Sequence, residues 1–126
     1  LSLALVNQGA ADLYATSTYG YSLYVGPGGG TAVLRSIDSG VANSLATMAI
    51  PGDLNTTHRW TLDYFYNSAG TVTLTAYQDG VQIGTATDTT SPYINLGYVL
   101  LRDEQHDSDG ARADNLLISN DGSITH

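Results

Sequence analysis

The feature that most restricts the fold of this chain is a two-residue hydrophobic rhythm, carried in short segments and broken each time by Gly, Asp, Asn or Pro. Alternation of this kind places every second side chain on one face of an extended strand, which is how half-buried antiparallel strands read in sequence. Leu1, Leu3 and Leu5 alternate with small residues, and Tyr19, Tyr21, Leu23 and Val25 share a face that ends at Gly26-Pro27-Gly28-Gly29-Gly30. Gly there admits positive φ and Pro cannot donate to a ladder, so the run reads as a turn. Residues 31–37 resume the pattern, with Val33 and Arg35 on one side.

The strongest pair of strands spans residues 59–66 and 71–77, joined by Asn67-Ser68-Ala69-Gly70, whose residues suit a tight hairpin. Trp60, Leu62, Tyr64 and Tyr66 fall on one face and Val72, Leu74 and Ala76 on the matching face of the partner, and both faces are expected to meet the core. Asp79-Gly80 predicts another tight turn before a strand over 81–87, with further strands over 95–102 and 111–119 on either side of an acidic loop. Residues 41–50 lack a clean rhythm and read as a helical turn or loop. About eight short strands at this spacing predict two packed antiparallel sheets.

Composition narrows the function. Hydrophobic residues make up 42% of the 126 and charged residues only 13%, which is too apolar for a disordered acidic tail and enough for one core. There is no Lys and a single Glu, Glu104. Four Arg against twelve acidic residues give a net charge of −8, which repels phosphate backbones, so nucleic acid is not an expected partner. No apolar run reaches the ~20 residues of a membrane-spanning helix, so membrane insertion is not expected either. Without Cys there is neither a disulfide framework nor a thiolate metal site. Gly26 to Gly30 lacks the Gly-Lys-Ser/Thr ending of a phosphate loop, and no Gly-x-Ser-x-Gly nucleophile elbow occurs.

Four runs, taken in order, carry a family resemblance: His58-Arg59-Trp60-Thr61-Leu62-Asp63-Tyr64, then Thr73 to Val81 with Asp79-Gly80, then Gly97 to Arg102, then Ala111 to Ile118 with Asp114-Asn115. Over residues 56–119 the chain resembles the concanavalin A-like lectin/glucanase domains, including laminin-G-like jelly rolls. That resemblance implies a jelly-roll-like antiparallel β-sandwich of two sheets, formed by residues 1–126 as a single domain that lacks some of the family's N-terminal strands. It also implies an extracellular or cell-surface setting. An Asp opening the closing strand, here Asp114, often helps to hold a structural calcium in the family; a strand-end Asp accepting backbone N–H bonds is the equal alternative. The family's glucanases carry closely spaced carboxylates on a catalytic strand, and the lone Glu104 sits instead in a loop.

Glycoside hydrolysis needs two carboxyl groups roughly 5–9.5 Å apart with one held protonated. The only dense acidic group is Asp103, Glu104, Asp107 and Asp109. It reads first as a solvated loop, next as a hard-cation site and last as a catalytic pair. Asp107-Ser108-Asp109-Gly110 sets carboxylates at alternating positions before a turn-forming Gly, an arrangement that presents several oxygens to calcium, although the full twelve-residue loop is absent. Calcium is therefore the expected ion, with Asp107, Asp109 and Asp114 as its ligands.

Nine Tyr, one Trp and one Phe supply rings that stack on sugars while the phenol tips reach hydroxyls. Tyr is also a good strand former, and Trp60, Tyr64 and Tyr66 are expected in the core. Tyr77, on the face opposite Val72, Leu74 and Ala76, is expected to be exposed. With Arg102, Gln105 and His106 near the acidic loop, it forms the expected ligand-binding surface. The expected function is a non-catalytic extracellular module for glycan binding or adhesion. A structural or assembly module of a surface protein or filament stands second, and a fragment of a glycoside hydrolase third.

Overall fold

In the computed structural model, residues 1–7, 13–26, 30–52, 57–90 and 92–102 are described. They form eight strands: β1 (Ser2–Val6), β2 (Gly20–Val25), β3 (Thr31–Asp38), β4 (Val41–Ala49), β5 (Trp60–Asn67), β6 (Thr71–Gln78), β7 (Val81–Asp88) and β8 (Tyr98–Arg102). No helix occurs among the described residues. The strands build two antiparallel sheets, one of five strands in the order β4-β3-β2-β1-β8 and one of three in the order β5-β6-β7. The chain therefore meanders across the first sheet, crosses to the second, meanders again, and returns to pair β8 with β1. The fold is the all-β sandwich that the alternation predicts.

The turns follow from their residues. Ser39-Gly40 and Asp79-Gly80 both close two-residue hairpins with positive φ at each position, 50° and 78° in the first and 52° and 82° in the second. That conformation matches the twist of the flanking strands, and Asp-Gly is among its preferred sequences. The Asn67–Gly70 connection is one residue longer. It closes with the Gly70 N–H donating to the Asn67 carbonyl at 2.9 Å.

The core lies between the sheets. Tyr21, Leu23, Ala32, Leu34 and Met48 from the five-stranded sheet meet Val72, Leu74, Ala76 and Ala86 from the other. Burying a Leu such as Leu23, Leu34 or Leu74 contributes about 1.5–3 kcal/mol. Trp60, Leu62 and Tyr64 pack against this core as expected, but Tyr66 does not join it: at the hairpin end of β5 it is 44% exposed. Part of the outer face of the five-stranded sheet is also buried. Ala4, Val6 and Ile37 lie beneath Leu13, on the segment that leads into β2.

Within residues 41–50, Val41–Ala49 form a strand, not a helical turn or loop. The register of β3 against β4 slips between Leu34 and Arg35, so one residue of β4 is left over. A bulge shifts the phase of alternation midway, and the two-residue rhythm disappears from the sequence although the strand continues. On the opposite sheet, Gly84 of β7 leaves the space that Met48 fills; a Cβ there would overlap Met48 Sδ and Cγ.

Candidate functional site: a tyrosine cluster at one end of the sandwich

Four tyrosines gather where β2, β5 and the segment before β8 meet. The Tyr21 ring lies 5.9 Å from that of Tyr64 and 5.7 Å from that of Tyr93, and Tyr19 lies 5.5 Å from Tyr93. Tilted pairs at such separations are favourable beyond the area they bury. Alternation puts Tyr21 inward on β2 and Tyr64 inward on β5, so the two sheets deliver these rings to the same place.

Polar groups inside the cluster are matched. The Tyr21 hydroxyl, fully buried, donates to Asp88 Oδ2 at 2.7 Å, and Asp88 Oδ1 accepts from the Thr90 N–H at 3.0 Å. Burial, the Asp88 hydrogen bond and the Asp88 charge all push the Tyr21 phenol far above its ordinary pKa, so it stays a donor. Burial likewise raises Tyr64. Tyr93 is held at three points: its N–H donates to Tyr21 Oη at 3.0 Å, its carbonyl accepts from Tyr64 Oη at 2.6 Å, and its own hydroxyl donates to Asp38 Oδ1. Asp38 Oδ2 also accepts from Asn43 at 2.6 Å and from Ser36 at 3.2 Å.

Next to this cluster is a shallow cleft of about 280 Å³ lined by Asn7, Tyr19, Pro92, Tyr93, Ile94, Asn95 and Leu96. Asn7 is spent on structure: its Oδ1 accepts from the Tyr19 N–H at 2.9 Å and its Nδ2 donates to the Ser17 carbonyl at 3.2 Å. Tyr19 Oη and Ser39 Oγ share a hydrogen bond of 2.7 Å. Ile94 is 52% exposed, and Asn95 is exposed with an amide that bonds to nothing among the described residues. The cleft thus offers two partly exposed rings, an apolar rim and one uncommitted amide, all set on a main chain fixed at Tyr93.

The residues picked out by sequence lie elsewhere. Tyr77 is on the outer face of the three-stranded sheet, half-buried beside Thr61 and Gln82. Arg102 is on the outer face of the five-stranded sheet, its guanidinium 4.6 Å from the centroid of the Tyr14 ring. The whole core separates the two, so the structure does not bring them together. Gln105, His106, Asp107, Asp109 and Asp114 lie outside the described residues. Among the described residues no group of three His, Cys, Asp or Glu is placed to hold a metal.

Sequence reading missed Tyr93, Ile94 and Asn95 as a site. Tyr93 and Ile94 belong to no periodic segment, Asn95 reads only as the start of a strand that in fact begins at Tyr98, and the partners that fix Tyr93 are 29, 55 and 72 residues away along the chain. The one available signal was the abundance of Tyr itself. Comparison with family models, curated proteins and solved structures finds no match, so the functional reading rests on this chain's own residues.

Proposed function

We propose that the domain is a non-catalytic glycan-binding module of an extracellular or cell-surface protein, and that the sugar sits in the cleft between Tyr19 and Asn95. The observation that carries this reading is the pairing of the Tyr19 and Tyr93 rings with the uncommitted Asn95 amide on a pre-set main chain. Rings take the apolar face of a sugar and an amide both donates to and accepts from its hydroxyls. Fixing the main chain beforehand lowers the ordering cost of binding. Among the described residues, the carboxylates behind the cleft, Asp38 and Asp88, are engaged by tyrosine hydroxyls, which suits a structural role better than acid–base work.

The test is a glycan array with the isolated domain, followed by titration of any sugar bound. Asn95→Ala is expected to weaken binding roughly tenfold with the melting midpoint unchanged, since its side chain has no polar partner among the described residues. Tyr19→Ala is expected to weaken it at least as much. Failure to bind any glycan rejects the reading.

Assembly is the second reading, favoured by Phe65 and Tyr66, adjacent on β5 and 64% and 44% exposed. The proposal also includes a structural calcium held by Asp107, Asp109 and Asp114, which rests on sequence alone. A melting midpoint that rises by several degrees with calcium, and does not with chelator, is the expected result. Equal midpoints reject the ion.

A further inference from the structure

We infer that the cleft selects uncharged sugars and admits one ring at a time, an inference that rests on the glycan-binding reading above. Among the described residues that line it, Asn7, Tyr19, Pro92, Tyr93, Ile94, Asn95 and Leu96, none carries a cationic side chain. The described arginines are placed elsewhere. Arg35 is buried on the outer face of the five-stranded sheet, bonded to Ser2 and Ser22, while Arg102 caps Tyr14 on the same face and Arg59 lies beside the Asp79 turn.

Negative charge, by contrast, is built in behind the rings. The Tyr93 ring lines the cleft while its hydroxyl donates to the Asp38 carboxylate, so an ionised group stands about one phenol ring from any ligand stacked there. The Asp88 carboxylate follows one layer deeper through Tyr21. Asp88 is buried and Asp38 half-buried, so both are screened less than fully exposed charges would be. A uronate, sialate or sulfate brought into the cleft meets this field with no cation among the described lining residues to offset it, on a chain whose net charge is already −8. A neutral pyranose meets only rings, the Ile94 side chain and the Asn95 amide.

Size sets the second half of the inference. At 280 Å³ the cleft falls just under the ~300 Å³ at which sites for drug-sized ligands begin, which leaves room for one ring and puts further sugar units in solvent.

Matched oligosaccharides test it: a neutral hexose series and the same series ending in a uronate or carrying a sialate, titrated at low and at physiological salt. The neutral member is expected to bind at least about fivefold more tightly, with the gap widening at low salt. Lengthening the neutral chain beyond one unit is expected to leave affinity unchanged. Ile94→Arg places a cation on the rim and is expected to narrow or reverse the ratio of neutral to acidic affinity, whatever it does to the neutral affinity itself. Equal or tighter binding of the acidic series to the natural sequence overturns the inference and leaves glycan binding standing. Affinity that keeps climbing with chain length overturns the single-ring part. An acid-to-neutral ratio that Ile94→Arg leaves untouched shows that the sugar sits elsewhere and overturns the inference as well. Absence of binding to either series rejects the glycan reading itself.

Discussion

The hydroxyl of Tyr21 donates to the carboxylate of Asp88 at 2.7 Å, joining β2 of one sheet to the end of β7 in the other inside the core. The same oxygen accepts the N–H of Tyr93, so one phenol donates to a buried carboxylate and positions the main chain of the cleft. The Thr90 N–H also donates to Asp88, but a buried carboxylate that loses one of its donors gives up part of what offsets its desolvation, and the ring that carries the donor can be kept.

Tyr21→Phe is therefore expected to cost about 1–3 kcal/mol, measured by urea denaturation. Glycan affinity should fall too, since the Tyr93 N–H loses its acceptor and the fixed main chain loosens. A variant as stable as the natural sequence shows that Asp88 finds another donor at no cost.

Gly84 gives a purely steric test, because its φ is one any residue adopts. Gly84→Ala drives a methyl group into Met48, whose sulfur end is flexible but enclosed by the core. The expected loss is about 1–3 kcal/mol. In a Met48→Ala background the added methyl should cost far less, so the two substitutions should be clearly non-additive in a double-mutant cycle. Additive losses mean the clash is relieved by movement of the strands and not of Met48.

How far the sequence disclosed this architecture depended on whether a feature was local. The β5–β6 hairpin and the Asp79-Gly80 turn were legible because alternation and turn chemistry are written within a few neighbouring residues. β4 was hidden by its bulge, which breaks the alternation near Leu45 without ending the strand. Tyr66 was misread because its parity is inward, yet it lies at the open end of the sandwich where the facing sheet offers no cover. The cleft was illegible for a different reason. Asp38, Tyr64 and Tyr21 converge on Tyr93 only after both sheets have formed, and no spacing along the chain encodes that meeting.

The Asp79 turn makes stability pH-dependent in a defined direction. Its carboxylate accepts from the Arg59 N–H at 2.8 Å and contacts His58 Nδ1 at 2.6 Å, and these bonds hold its pKa below the ordinary carboxylate value. A carboxylate with a depressed folded pKa stabilises the fold at pH values above its unfolded pKa of ~3.9, and that contribution is lost as pH falls through the folded value. Asp79→Asn keeps an oxygen for the Arg59 N–H and tolerates the left-handed backbone, so it removes the charge alone. Because Asp79 is half-exposed, the difference at neutral pH should be no more than about 1 kcal/mol. Denaturation curves of the two proteins should separate at pH 7 and converge as pH falls below the ordinary carboxylate range. A constant gap across that range assigns the effect to the turn's shape and not to its charge.

Gly40 and Gly70 share a left-handed backbone, with φ of 78° and 87°, but not the same surroundings. A Cβ on Gly70 meets nothing within 4 Å, whereas one on Gly40 would strike the main-chain oxygens of Tyr14 and Ala15. Left-handed φ alone costs a non-glycine residue about 1–2 kcal/mol, and Gly70→Ala should lose that and little more. Gly40→Ala carries the same strain plus an overlap with backbone, which cannot rotate away as a side chain does. The 13–19 segment is tied to this turn by the Gly40 N–H donating to Thr18 O at 2.9 Å and by the bond of Tyr19 to Ser39, so the turn and the segment must part together. Separation would uncover Leu13, which seals Ala4, Val6 and Ile37, and would draw Tyr14 away from Arg35. The expected loss is therefore upward of about 3 kcal/mol, with the first proteolytic cut falling within residues 13–19. Equal losses for the two variants, or a first cut outside that segment, show that the segment's seating does not depend on the turn beneath it.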